Sequence, residues 1–328
     1  MNGAKIARQL WAQLWEDYRQ RVSYARIYEE MIREALGTVA NDHIAWRSLR
    51  LSVNGVNLGI PYIAEIAEAL GYEMAGEYEF RDRHLYARHY RHPQAETGDL
   101  PKLFISELVV EELPAEIAEA IVETVKTARF DPWGDRGNIQ QVLETASETE
   151  ISSLLSSLFR SNPNNTLSSP PLPITASPRH RVPSPLHPWQ PPKKSILEAV
   201  NAVSQYGAWV LLHGYAVNHF TGYVNRQNTS QYPDIESTAK GLAARGVPMK
   251  AEIEGDASTG LQQTATQAVV ENVTVLDDRT GEPIQIPWTY AYYEIAQRHL
   301  VEVAPGQREL FDGFLGNQAR HLFEMTRV

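Results

Sequence analysis

Two distant stretches of this chain repeat one order of elements, and any fold it adopts has to house both. Val39-Ala-Asn-Asp-His43-Ile-Ala and Tyr215-Ala-Val-Asn-His219-Phe-Thr each carry an asparagine just upstream of a histidine, an apolar residue directly after it and a small residue beyond. Each reads as a strand followed by a proline-initiated helix that a glycine ends, Gly71 standing 28 positions after His43 and Gly246 27 after His219. The match continues as Gly-x-x-Met-x-x-Glu, from Gly71 to Glu77 and from Gly246 to Glu252. Later in each half a strand carries a glutamate, Glu107 in Phe-Ile-Ser-Glu-Leu and Glu294 in Tyr-Tyr-Glu-Ile-Ala, so Glu107 reads as the repeat partner of Glu294.

Strand, helix and three strands taken twice predict an α+β fold of paired βαβββ modules that join as an open half-barrel cup with additional helices. The division expected is a single domain, 1–328, with an N-terminal helix over 1–37 and a first module with helices over 38–160. A connection rich in Pro and Ser follows at 161–194, then a second module at 195–328. Ile6, Leu10, Trp11, Leu14, Trp15, Tyr18 and Val22 fall at helical spacing, which predicts one amphipathic helix running towards Leu36 and stopping at Gly37. Further helices are expected over 61–70, 115–128, 139–159, 195–205, 233–245 and 312–325, and further strands around 74–80, 102–110, 261–270 and 284–296. The basic run Arg81–His92 predicts a polar surface hairpin carrying His84, His89 and His92, and His180 and His187 in the connection are expected to be solvated.

Composition narrows the function. The chain has 328 residues, a net charge of −10 and no cysteine. That acidity argues against a nucleic-acid footprint, and the missing thiols exclude disulfide scaffolds, thiolate zinc sites, iron–sulfur clusters and cysteine nucleophiles. No run approaches the length of a membrane helix, and the charged opening lacks the apolar core of a secretory signal, so no membrane partner and a cytoplasmic location are expected.

Residues two apart on a strand share a face, so His43, Ala45 and Arg47 point one way and Ile44 and Trp46 the other. In a paired-module cup the inner faces of equivalent strands converge, and His43, His219 and Glu294 can meet there. Two imidazoles and one carboxylate with open positions opposite are the set that non-heme Fe(II) oxygenases use. A strand histidine is equally at home as a hydrogen-bonded interior residue, and Glu294 could be an outward residue of an alternating strand. Arg47 could be one half of an ordinary ion pair.

The stretches NDHIAWRSL, HPWQPP, AWVLLHGYAVNHFT, QQTATQA, YYEIAQR and FDGFLGNQARHLF carry a resemblance to the 2-oxoadipate dioxygenase/decarboxylase family, non-heme iron enzymes, from about residue 38 to the end. The resemblance implies a vicinal-oxygen-chelate-like fold and Fe(II) held by His43, His219 and Glu294. It implies that Arg47 clamps the substrate's carboxylate, for which a guanidinium fork is suited, and that Gln263 is a polar contact to substrate. The implied partners are a small 2-oxo acid and dioxygen. The implied reaction is oxidative decarboxylation and hydroxylation of 2-oxoadipate to 2-hydroxyglutarate and CO2, a step of lysine catabolism. Glu107 is expected to be structural or to support the ligands from behind. A fourth ligand there would favour a non-redox lyase or isomerase of the glyoxalase type. A non-catalytic binding protein is the third alternative, against which the intact His/His/Glu/Arg set argues.

Overall fold

The structure is a computed structural model that describes residues 3–95, 99–128, 138–159 and 189–316. The opening segment forms two helices, α1 (Gly3–Arg21) and α2 (Ser23–Glu34), where apolar spacing predicts one. The break falls at Val22, whose φ of −97° and ψ of 87° leave the helical region. The bend turns Tyr28 and Met31 of α2 into the same core as Leu10 and Trp11 of α1.

The first half continues with β1 (Asn41–Arg50), a small hairpin of β2 (Ser52–Val53) and β3 (Val56–Asn57), and α3 (Ile60–Ala69). Strands β4 (Glu73–Phe80), β5 (Leu85–Arg91) and β6 (Lys102–Val109) follow, then α4 (Ala115–Val125), α5 (Ile139–Thr145) and α6 (Glu148–Leu158). The second half holds α7 (Lys194–Val203), α8 (Gln205–His213), β7 (Val217–Tyr223) and α9 (Ile235–Ala244). It ends with β8 (Leu261–Ala265), a hairpin of β9 (Val270–Leu276) and β10 (Pro283–Thr289), β11 (Glu294–Arg298), and a hairpin of β12 (Leu300–Ala304) and β13 (Gln307–Leu310).

Seven strands form one curled sheet in the order β4-β5-β6-β1-β7-β11-β8. In each half the first strand pairs parallel with the last, β1 with β6 and β7 with β11, while β1 and β7 run antiparallel side by side and join the halves. The second strand of the second half is reduced to two bridges, Met249 to Thr266 and Glu254 to Gln263. The first of those bridges lies in, and the second two residues after, the Gly-x-x-Met-x-x-Glu stretch that in the first half opens β4, so the repeated letters mark equivalent places. Gly71 and Gly246 follow α3 and α9 at φ 94° and 79°, the left-handed terminus that a glycine allows without Cβ strain. The expected half-barrel cup is the fold observed.

Several elements differ from expectation. The span 139–159 is two helices, because Ser147 starts α6 with a reciprocal capping box to Glu150. The stretch predicted as a surface hairpin contains β5, inside the sheet, with His89 and His92 buried; His84 is half-buried and pairs with Glu112. The strand expected over 284–296 is divided between β10 and β11 in different sheets, and the one over 261–270 between β8 and the start of β9. Residues 312–316 are not helical, and the rest of the helix expected to 325 lies outside the described residues. So do His180, His187 and most of the 161–194 connection.

The sheet's two faces carry different chemistry. Ile44, Trp46 and Phe220 point to the helical side, where Trp46 packs on Trp11 with ring centroids 5.6 Å apart and Phe220 on Trp15 at 5.2 Å. The other face, the inside of the cup, carries the histidines.

Candidate metal centre

The register between β1 and β7 sets the site. Ile44 lies opposite Phe220, His43 opposite Thr221, and Ala45 opposite His219. A local twofold through the Ile44–Phe220 pair therefore exchanges the two histidines. Thr221 in turn lies beside Glu294 of β11. His43, His219 and Glu294 are all buried, and one ligand atom from each lies within 4.8 Å of the others. His43 Nε2 is 3.4 Å from one Glu294 oxygen and His219 Nε2 is 3.8 Å from the other.

Each imidazole is aimed by the residue before it. His43 Nδ1 donates to Asp42 Oδ1 at 2.8 Å, and His219 Nδ1 donates to Asn218 Oδ1 at 3.0 Å. A proton fixed on Nδ1 leaves each Nε2 a lone pair that a cation could take, the arrangement that orients metal-bound histidines; at His43 that lone pair accepts from the Thr221 hydroxyl at 3.0 Å. Behind Asp42, Arg298 closes a buried ion pair, and its Nη1 also donates to the carbonyls of Phe311 and Gly313 at 2.8 Å each. That grip lays Phe314 over the site, its ring 4.8 Å from that of His43.

Protonation suits a cation. Burial lowers both imidazoles from the ordinary histidine value, His219 well below it, while the Asp42 hydrogen bond partly opposes the shift at His43. Both rings are thus neutral donors near pH 7. Burial, with Glu254 and Asp42 adding repulsion, pushes the Glu294 carboxyl up to about 8. Glu294 Oε2 has no hydrogen-bond partner among the described residues, so the fold leaves a buried carboxylate oxygen that a divalent ion would satisfy. Two neutral nitrogens, one carboxylate and no thiolate fit a non-heme iron ion.

Arg47 and Gln263 line the same cavity, together with Phe104, Phe314 and Leu315. Arg47 is 2% exposed, touches Tyr292, and lies over the rings of Tyr206 and Trp209 at 5.0 and 5.3 Å. No carboxylate pairs with it among the described residues, and its Nη1 has no acceptor there. Gln263 Oε1 and Asn218 Nδ2 are likewise unsatisfied.

The structure corrects one pairing. Glu107 lies opposite Ser48, not opposite Ala45, and its side chain turns to the helical side of the sheet. There it accepts from the Ile60 backbone amide at 2.8 Å, capping α3, and from Arg50 at 2.6 Å. Glu107 is structural, as expected of its role, but it is not the counterpart of Glu294. The residue opposite Ala45 is Phe104.

The chain matches the 2-oxoadipate dioxygenase/decarboxylase family over residues 11–158 and 184–326. It belongs to that family. Among relatives, the chloroplastic 2-oxoadipate dioxygenase/decarboxylase of Arabidopsis thaliana is 25% identical over 305 residues, 87% of this chain and 67% of its own length. Two solved structures share the fold. A protein described as belonging to the glyoxalase superfamily, from Ralstonia eutropha JMP134, superposes with a TM-score of 0.74 at 23% identity, covering 91% of this chain and 84% of the other. The hydroxyglutarate synthase of Oryza sativa, crystallised with 2-oxoadipate, gives 0.70 at 22% identity over 99% and 93%. In this family member the His43, His219 and Glu294 cluster lies where the two halves of the sheet join.

Asp42, Asn218, Arg298, Tyr292, Phe104 and Phe314 were not singled out by sequence reasoning. The available signal was an oxygen-bearing side chain directly before each histidine. Tyr292, whose ring stacks on His219 at 4.8 Å, sits two residues before Glu294 and was visible only as part of an aromatic run.

Proposed function

We propose that this chain is an Fe(II)-dependent oxygenase that decarboxylates and hydroxylates a dicarboxylic 2-oxo acid, converting 2-oxoadipate and O2 to 2-hydroxyglutarate and CO2. Family membership supports the reaction class. The observation that carries the substrate class is Arg47: a buried guanidinium without a carboxylate partner among the described residues, on the strand face that also presents His43. A buried cation left unpaired is costly, and an anionic ligand offsets that cost.

His43, His219 and Glu294 would hold the iron. Bound there, it supplies a chelation point for the 2-oxo acid and the electrons that activate dioxygen. The protein's own groups do the rest. Arg47 takes the distal carboxylate through two parallel N–H donors, which fixes the acid's length and direction. Asn218 Nδ2 offers a donor to the bound acid, whose carboxylate and keto oxygens only accept, and the Gln263 amide meets those oxygens through its NH2 group. Phe104, Phe314 and Leu315 exclude water, which strengthens each of these polar contacts. Asp42 and Asn218 hold both imidazoles in the ligating tautomer throughout.

The deciding experiment loads the protein with Fe(II) without oxygen and then adds 2-oxoadipate and air-saturated buffer. Oxygen uptake matched one to one by CO2 and 2-hydroxyglutarate is expected. Turnover that needs no oxygen would instead assign a metal-dependent lyase or isomerase.

A further inference from the structure

Phe104 occupies a place that the molecule's own symmetry marks out. The twofold through Ile44 and Phe220 carries Ala45 onto Thr221. Thr221 lies beside Glu294 on β11, and Ala45 lies beside Phe104 on β6, both pairs being parallel neighbours. Paired residues on adjacent strands point to the same face, so Phe104 is the symmetry counterpart of Glu294 and faces the same cavity. It lines that cavity, and its ring lies 4.8 Å from that of Phe314, which itself covers His43. The nearby carboxylate, Glu107, is three residues further along and therefore on the opposite face.

We propose that Phe104 fills the position of a fourth protein ligand and, by offering no donor atom, keeps that side of the cation open. The inference rests on the metal reading above and adds what sets the number of open positions. In a roughly octahedral ion, three protein donors leave three positions, two for a chelating 2-oxo acid and one for dioxygen. A carboxylate or imidazole at Phe104 would take the third. The same two-module cup would then suit chemistry in which the ion only polarises a carbonyl. A single side chain on β6 thus separates the two reaction types that the cup can support.

The test compares the wild type with Phe104→Glu, Phe104→His and Phe104→Leu. Two quantities are read: Mn(II) affinity by chelator competition, and the number of exchangeable metal-bound waters by water-proton relaxation. The glutamate and histidine variants are expected to hold Mn(II) about tenfold more tightly or better and to lose one exchangeable water. The leucine variant, apolar and without a donor, should keep both wild-type values. Should the glutamate fail to fold, the histidine reads the same quantities with a neutral ring. Folded glutamate or histidine variants with wild-type affinity and water number overturn the proposal, as does a leucine variant that loses a water. A wild type that takes no metal at all removes the metal reading and the Phe104 assignment together. A wild type that binds metal and consumes no oxygen removes only the oxygenase reading, and the water number still decides Phe104.

Discussion

Asp42 and Arg298 form a two-point ion pair in the interior, Nε to Oδ2 at 2.6 Å and Nη2 to Oδ1 at 2.9 Å, directly behind His43. Burial alone would raise the Asp42 carboxyl; the charge of Arg298 and the His43 hydrogen bond reverse that and hold it well below the usual carboxylate range. Since Arg298 also grips two carbonyls of the segment that bears Phe314, one guanidinium links the aim of a ligand to the cover over the cavity.

Arg298→Ala leaves Asp42 charged, buried and unpaired. Destabilisation of about 3–5 kcal/mol is expected by chemical denaturation, together with metal affinity weakened roughly 10- to 100-fold. Wild-type stability would show that the pair is dispensable. Arg298→Lys should recover part of the stability but not both carbonyl contacts, because an ammonium lacks the planar fork.

His43→Ala and His219→Ala each remove a nitrogen donor from the cluster, and Glu294→Gln removes its negative charge. Metal content after dialysis should fall by more than about 100-fold in affinity, beyond the loss typical of residues that only support a ligand. Oxygen uptake should vanish with it. An alanine variant that retains iron at wild-type stoichiometry would exclude that residue from the site.

Arg47→Ala should act mainly on binding. The KM for 2-oxoadipate is expected to rise on the order of 30-fold, near the ~2 kcal/mol low end for truncating one partner of a buried charge pair. The KM for 2-oxohexanoate, which lacks the distal carboxylate, should change far less. Equal losses for the two acids would remove the clamp role.

Metal binding should release a proton. The Glu294 carboxyl sits at about 8 in the metal-free protein, so near pH 7 it is mostly protonated and must ionise to ligate. Calorimetry in buffers of differing ionisation enthalpy should find most of a proton released per ion at pH 7 and clearly less at pH 9. The linked stability has a definite sign. The folded value lies above the unfolded one, so the folded state binds the proton more tightly, and stability from this group falls as pH rises through about 8. Above pH 7 the buried imidazoles are neutral when folded and mostly neutral when unfolded, so they add little slope. Metal-free protein should therefore melt lower at pH 8.5 than at pH 7, and a flat profile would contradict the buried-carboxyl assignment.

Period-two alternation and the repeated histidine strand made the cup and the convergence of His43, His219 and Glu294 legible in the sequence. The misreadings have physical causes. α8 went unrecognised because Tyr206 to His213 are buried on every side and show no amphipathic period. β5 was obscured by its basic letters, although Leu85, Ala87, His89 and Tyr90 are the residues it buries. Matching letters aligned Glu107 with Glu294, whereas strand register aligns Phe104 with it. Register depends on how parallel strands slide into place, which single letters do not encode. Arg298, four residues beyond Glu294, could not be tied to Asp42 from sequence because their pairing spans 256 positions.

The residues that precede the two histidines also differ in kind. Asp42 offers His43 a full negative charge, whereas Asn218 offers His219 only an amide dipole. The two nitrogens are therefore unequal in donor strength despite their mirrored placement. An oxo acid chelates through one charged and one neutral oxygen, and a perfectly duplicated pocket would accept it either way round. The two halves share one order of strands, yet carboxylate against amide at Asp42 and Asn218 joins Glu294 against Phe104 in making the two sides of the cup chemically distinct.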